Sequence, residues 1–337
     1  MLKKCNKMIQ KLGIKITGTG SFLPDYTVNN ADFSRFIETD DAWITSRTGI
    51  KQRRLNVSGT NLSMSEKAAN RALESAGVKA SEIDMIIAST STPDYFYPSL
   101  SCLVQNAIGA VNASAVDVSA ACTGFVSALD IARNYLAVGS CNRILVVAGE
   151  MLSRQVDFTD RASCVLFGDG AGAMVVEAAD KQYASYLGAK GESLDNLLLY
   201  CDCGYNSNNP FLESDCGNTS RPQRIQMDGK DVYKFAADIM PKAVNALCNK
   251  AGLALSDIDL LIPHQANIRI INAAMKSLDV PMDRVYVNIE KTGNISSACI
   301  PVCLDELNKA NRLKSGMKVC LVAFGAGLTF GSILMEV

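Results

Sequence analysis

Ala76–Ile87 reads AGVKASEIDMII, and 175 residues later Ala251–Ile262 reads AGLALSDIDLLI. Six of these twelve pairs are identical and four others exchange similar residues, without a gap. At the same offset Leu129–Asp130 meets Leu304–Asp305, and Arg143–Ala148 meets Lys318–Ala323. Three separated matches in one register mark a duplication. The chain therefore reads as two similar halves, roughly 13–180 and 181–337, packed about a pseudo-twofold axis.

Around the repeat, strand and helix patterns alternate. Ile83–Ser89, Ser114–Val118, Arg143–Ala148, Asp259–Ile262 and Val319–Ala323 are apolar blocks that read as buried strands. Helical periodicity runs over Met64–Ala76, Cys122–Ala137, Tyr233–Ala251 and Ile300–Leu307. The alternation predicts an α/β protein with largely parallel central strands. Residues 191–224 have no period and are rich in Asn, Asp, Ser, Cys and Gly, so they read as a long surface loop and a candidate lid. Cys201, Cys203 and Cys216 lie there without a C-x-x-C pair or a nearby histidine, and read as free thiols rather than a zinc site.

Composition narrows the function. Lys and Arg total 33 against 34 Asp and Glu, so the basic excess of a nucleic-acid binder is missing. With 48% hydrophobic and 20% charged residues, disorder is excluded for most of the length. The twelve cysteines are dispersed over a long chain, Met1–Leu12 has no apolar stretch of signal-peptide length, and no run of about 18 apolar residues exists. Together these read as a cytoplasmic protein with free thiols and no membrane span. There is one histidine, His264.

Three residues stand at the ends of repeated elements. Cys122 follows the strand pattern ending at Val118 and opens a helical one, where unsatisfied N–H groups and the helix dipole favour a thiolate. Such a cysteine is either a nucleophile or a small buried apolar residue. His264 follows the strand Asp259–Ile262 at its carboxyl end, where ligands gather in parallel sheets, or it is a satisfied core residue. Asn294 lies in a polar loop entering an apolar helix and reads as an N-cap or a donor. In the register of the repeat Asn294 overlays Ser119, Cys122 overlays Ser297 and His264 overlays Ser89. A pseudo-twofold would bring these tips into one pocket, which function explains better than packing does.

The glycine runs do not support a dinucleotide site. Gly168–Ala173 leads into the strand pattern Met174–Val176, and Gly18–Gly20 into Ser21–Pro24, whereas the fingerprint needs a helix after its glycines. Gly325, Gly327 and Gly331 are instead expected to let backbone approach a substrate.

Trp43–Ile44 with Arg47–Ile50, the Cys122 segment, Asp160–Arg161, Phe167–Ala173, His264–Asn267, Gly293–Asn294 and Gly325–Gly331 occur in an order that resembles the β-ketoacyl-[acyl-carrier-protein] synthase III family, from about Ile14 to Val337. The resemblance implies a thiolase-like five-layered αβαβα sandwich and a homodimer. It implies condensation of an acyl-CoA, typically acetyl-CoA, with malonyl-[acyl-carrier-protein], needing no cofactor beyond the coenzyme A thioester and no metal. Carried over, Cys122 takes the acyl group, His264 and Asn294 hold the malonyl thioester carbonyl, and backbone N–H groups of Cys122 and Ala326 form the oxyanion hole. Trp43 and Arg161 resemble the pair bracketing adenine, with Arg47 and Asn267 along the approach. Tyr97 resembles the residue that reaches across the dimer to the partner's acyl pocket, and Lys234, Arg269 and Lys276 match positions that attract an acidic carrier protein.

A single histidine cannot supply the Cys-His-His set of elongating condensing enzymes, and the loop Gly325–Gly331 lacks the second cysteine of a thiolase. The remaining rivals are a related enzyme of secondary metabolism with another acceptor, a Cys-His thioesterase, and a non-catalytic partner subunit. Residues 191–224 depart most from the family pattern, and primer length and branching stay open.

Overall fold

A computed structural model describes residues 13–193, 196–201 and 224–337. The first half contains β1 (Gly13–Phe22), β2 (Thr27–Asn29), α1 (Asn30–Phe33), α2 (Asp41–Thr48), β3 (Gln52–Arg54), α3 (Asn61–Ala76), β4 (Met85–Ser89), α4 (Leu100–Ile108), β5 (Ser114–Val118), α5 (Gly124–Ala137), β6 (Arg143–Met151) and β7 (Asp169–Ala179). The second contains β8 (Tyr183–Ala189), β9 (Leu199–Cys201), β10 (Ile225–Met227), α6 (Gly229–Ala251), β11 (Leu260–Pro263), α7 (Ile268–Leu278), α8 (Ile289–Thr292), α9 (Cys299–Lys309), β12 (Lys318–Gly325) and β13 (Thr329–Glu336).

Two sheets carry the duplication. The first has the order β1-β7-β6-β4-β5, with β4 parallel to β5 and β6 and the β7 pairings antiparallel. The second has the order β8-β13-β12-β11, with β11 parallel to β12. Position for position, β11 answers β4 and β12 answers β6. Where β5 would be answered, the second half has only a parallel bridge between Leu261 and Val285.

Helices α5 and α9 share one core with the facing sides of both sheets, through residues such as Phe125, Leu129, Val302 and Leu304. Helices α3 and α4 cover the outer side of the first sheet, and α6 and α7 that of the second. The result is the expected αβαβα sandwich of five layers. Among the described residues no helix is long and apolar enough to cross a membrane.

Local sequence explains these placements. Helix α3 buries Met64, Ala68, Ala69, Ala72 and Leu73 at helical spacing; Thr60 caps its start by accepting from Ser63 N at 3.0 Å, and Gly77 ends it at φ 66°. Its small residues let the helix sit against β1, where a Cβ on Gly18 would stand 2.3 Å from the Ala72 carbonyl oxygen. That glycine is a packing device, and Gly170 and Gly172 lie inside β7, so neither run opens a helix for a nucleotide.

Two expectations need correction. Ser114–Val118 is a strand but not a buried one: β5 is a sheet edge with Ser114 and Val116 exposed. Its acid, Asp117, accepts the Leu100 and Ser101 N–H groups, both at 2.8 Å, and so caps α4. The stretch 191–224 is not all loop, since β9 pairs antiparallel with β10 through Cys201 and Ile225. A three-residue strand is too short to show a period. Residues 202–223, with Cys203 and Cys216, lie outside the described residues.

Candidate active site

The cysteine sits on a tight turn. After β5 the chain forms a 3₁₀ turn, Ala121–Thr123, and only then enters α5. Ala121 has φ 46°, a left-handed value uncommon for a residue with a Cβ. The second half repeats the device 175 residues later: the 3₁₀ turn Ser296–Ala298 precedes α9, and Ser296 has φ 48°. Thr123 Oγ1 donates to the Ala120 carbonyl at 2.7 Å and lies 2.9 Å from Thr329 Oγ1, which ties the cysteine turn to the start of β13.

His264 directly follows β11. Its backbone N–H donates to the Val322 carbonyl at 2.8 Å, and its ring meets Phe324 edge-on with centroids 5.4 Å apart. The imidazole is buried, no charged group among the described residues is arranged to stabilise an imidazolium, and desolvation pushes its pKa down to about 3. It is neutral at physiological pH.

Asn294 is fixed at both backbone and side chain. Its N–H donates to the Leu166 carbonyl at 2.9 Å, and its carbonyl accepts Gly168 N at 3.0 Å. Its Oδ1 accepts the Ser296 N–H at 2.9 Å, so the amide NH₂ is the end left to donate. The bond has the sense of a cap but closes the turn before α9; the helix itself is capped at Ala298 without a side chain.

Cys122, His264 and Asn294 line the same cavity of about 740 Å³, as does Gly325 at the end of β12. Apolar walls come from Leu166, Phe167, Leu199 and Phe324. Behind the wall, fully buried Arg53 stacks 4.5 Å from the Phe33 ring and donates to Asn30 Oδ1 at 2.8 Å and to the Val165 carbonyl. A Cβ on Gly325 would stand 2.8 Å from the Cys122 nitrogen, so only glycine lets the two backbones meet there. Ala326 follows at the start of a 3₁₀ turn.

The thiol differs from the expectation. Burial pushes Cys122 up to about 12; the Ser296 hydroxyl, donating to Sγ at 3.3 Å, pulls the other way, and the charge of Glu150 adds to the rise. A helix start was expected to favour the thiolate. Here the sulfur lies on the turn before the helix, without a cation partner among the described residues, and loss of solvent outweighs the dipole.

The mouth is built differently. Trp43 on α2 meets two guanidinium groups, Arg47 at 5.0 Å and Arg161 at 4.7 Å from the ring centre. Arg161 also donates to the Glu38 carbonyl at 3.0 Å. Asn267 lines the cavity and caps α7, its Oδ1 accepting Arg269 N at 2.8 Å. Lys234, paired with Asp231 at 2.6 Å, and Arg269, over Tyr233 at 5.9 Å, also line it. Lys276 is exposed two turns further along α7 and does not. Tyr97 is 88% exposed and Phe96 72%, away from the cavity lining.

Three functional contacts were not singled out from the sequence: Ser296 on the sulfur, Phe324 on the imidazole, and Glu150, which is fully buried near both turns. Glu150 had a signal, an acid inside the apolar strand run Ile144–Met151. Among the described residues no cluster of three or more His, Cys, Asp or Glu is arranged to hold a metal.

Known proteins share this sequence pattern and fold. Residues 116–193 match the family model described as 3-oxoacyl-[acyl-carrier-protein (ACP)] synthase III, and residues 248–337 match its C-terminal model. The chain is 43% identical over 325 residues to a β-ketoacyl-[acyl-carrier-protein] synthase III of Clostridium acetobutylicum, covering 96% of this chain and 98% of that protein. The crystal structure of 3-oxoacyl-[acyl-carrier-protein] synthase III from Aquifex aeolicus superposes with TM-score 0.88 at 41% identity, covering 96% and 100% of the two chains. The priming β-ketosynthase of the R1128 polyketide biosynthetic pathway superposes with TM-score 0.86 at 36% identity, covering 96% of each chain.

Proposed function

The chain belongs to the 3-oxoacyl-[acyl-carrier-protein] synthase III family, and from that premise we propose that Cys122, His264 and Asn294 carry its reaction. That reaction condenses an acyl-CoA with malonyl-[acyl-carrier-protein] to start fatty-acid synthesis. The observation that supports the assignment is the single cavity lined by a thiol, a neutral imidazole and an oriented carboxamide.

In the first step Cys122 Sγ attacks the acyl-CoA carbonyl carbon, the bond to the coenzyme A sulfur breaks, and the thiol proton ends on the departing coenzyme A. The oxyanion of the tetrahedral intermediate is held by the N–H groups of Cys122 and Ala326. A thiol near pKa 12 is protonated at rest, so its proton must leave as the carbon–sulfur bond forms. The departing coenzyme A sulfur takes that proton; His264, held near pKa 3, is too weak a base to carry it and is kept for the second step.

In the second step the malonyl thioester carbonyl lies between an N–H of His264 and the Asn294 NH₂. The bond to the carboxylate breaks, carbon dioxide leaves, and the electron pair becomes an enolate stabilised by these two donors. Both are neutral, so they hold developing negative charge without a proton transfer. The enolate carbon attacks the acyl-Cys122 carbonyl, and Cys122 leaves and regains a proton from solvent.

Trp43, Arg47, Arg161 and Asn267 are assigned to coenzyme A, and Lys234, Arg269 and Lys276 to the acidic carrier protein. The first two of the carrier residues line the cavity mouth, which favours them over Lys276. Coenzyme A enters as part of the substrate, and no separate cofactor is assigned. A homodimer is supported by the exposed Tyr95, Phe96 and Tyr97 and by the uncovered edge of β5, with Tyr97 assigned to the partner's acyl pocket. A reducing cytoplasm is supported by Cys102, Cys122, Cys141, Cys164, Cys248, Cys299, Cys303 and Cys320, all unbridged.

The test is to incubate the protein with radiolabelled acetyl-CoA and then add malonyl-[acyl-carrier-protein]. Label should bind wild type and not Cys122→Ala, then move to a 3-oxoacyl carrier product. Release as free acetate would overturn the reading in favour of a thioesterase. A panel of straight and branched acyl-CoA primers then fixes the acyl preference.

A further inference from the structure

The repeat pairs Glu150 at the end of β6 with Gly325 at the end of β12, 175 residues apart. It likewise pairs Ser297 with Cys122. In the second half the Ser297 hydroxyl donates to Glu150 Oε1 at 2.6 Å, and the Ser297 N–H faces the same oxygen at 3.4 Å. In the first half Gly325 puts no side chain against the corresponding Cys122 N–H. One turn thus has its anion site filled by the protein's own carboxylate, while the other leaves it open for the oxyanion of a substrate.

The filled site is built as an anion site. Glu150 is fully buried; its Oε2 accepts Ser91 N at 3.0 Å and Thr92 Oγ1 at 3.1 Å, and among the described residues no cation pairs with it. A buried acid held only by neutral donors is costly to keep unless it fixes something. What it fixes is the turn at 296–297. From that turn the Ser296 hydroxyl reaches Cys122 Sγ at 3.3 Å, and the Ser296 N–H holds Asn294 Oδ1 at 2.9 Å.

We propose that Glu150 is a positioning residue for the condensation: by occupying the duplicated anion site it holds the Ser296–Ser297 turn, and through it the nucleophilic sulfur and the Asn294 amide. This rests on the roles assigned above to Cys122 and Asn294. Misplacing reacting groups by about an ångström costs up to about a hundredfold in rate without requiring weaker substrate binding.

The experiment compares wild type, Glu150→Gln, Ser297→Ala and Ser297→Thr in single-turnover acetyl transfer and in steady-state condensation, with folded fraction measured by thermal melting. Glu150→Gln puts an NH₂ against donors and should lower kcat about tenfold or more, with KM for both substrates within about twofold and the melting temperature little changed. Ser297→Ala should lower kcat less, and Ser297→Thr, which restores the hydroxyl, should recover most of it. Full kcat per folded molecule of Glu150→Gln overturns the proposal. If Glu150→Gln does not fold, the two Ser297 variants decide: normal kcat in Ser297→Ala, or no recovery in Ser297→Thr, overturns it. Failure of wild type to condense would instead sink the functional reading.

Discussion

The floor of the cavity and its mouth are built on opposite terms. On the floor, Cys122, His264 and Asn294 hang from strand ends and tight turns of both halves, and Asn294 and Cys122 each receive a hydrogen bond from Ser296. At the mouth, Arg47, Arg161, Lys234 and Arg269 are exposed side chains held by cation–π contacts and a surface ion pair. Rigid, desolvated groups act on charge that develops during reaction. Solvated cations contribute little individual binding energy and act mainly by attracting a partner of opposite charge. The contrast predicts that floor substitutions change rate and mouth substitutions change apparent affinity.

The hardest test is Gly325→Ala. The new Cβ would stand 2.8 Å from the Cys122 nitrogen and displace an oxyanion donor, so acetyl loading should fall about 10²–10³-fold. Loading within about threefold of wild type would show that the floor is not close-fitted. His264→Ala and Asn294→Ala come next, each lowering decarboxylation about a hundredfold while still taking up acetyl label. Normal condensation by either variant would remove that residue from the floor.

The pH dependence separates burial from the helix dipole. With Cys122 near 12, iodoacetamide inactivation should climb about tenfold per pH unit from about 7 to 10; a plateau near pH 8 would mean the turn lowers the thiol. For His264 the folded value of about 3 lies below the ordinary 6.5. The unfolded state therefore binds the extra proton in that window. Stability from this group is whole above about pH 6.5 and is lost as pH falls toward 3, and the decarboxylation rate should have no acid limb near 6.5. The smallest effect belongs to the mouth. Trp43→Ala should raise the KM for acetyl-CoA about tenfold, since loss of one stacking platform is worth about 1–3 kcal/mol, with kcat nearly unchanged. A fall in kcat at constant KM would place Trp43 with the floor.

The same division governs what could be read in advance. The duplication was visible because identical strand–turn–helix units need the same apolar residues at the same spacing, and the offset of 175 carries even the left-handed turn residues Ala121 and Ser296. Cys122, His264 and Asn294 could be named because each closes a recognisable element. Glu150 was overlooked because an acid in an apolar run has no local meaning; its role depends on Ser91, Thr92 and Ser297, brought together only by folding. The edge position of β5 was missed for a similar reason, as Val116 has the same composition whether or not a neighbouring strand covers it.

By itself the sequence determined the α/β class and the two-fold repeat, and it pointed to three side chains at element ends that share one cavity, since these follow from periodicity and residue chemistry along the chain. Tertiary structure alone decided that the thiol is held protonated, that the imidazole is neutral, and that Glu150 takes the Ser297 hydroxyl while the position equivalent to Glu150, Gly325, puts no side chain against Cys122. Desolvation and hydrogen-bond partnership arise from groups far apart in sequence, and no local pattern encodes them.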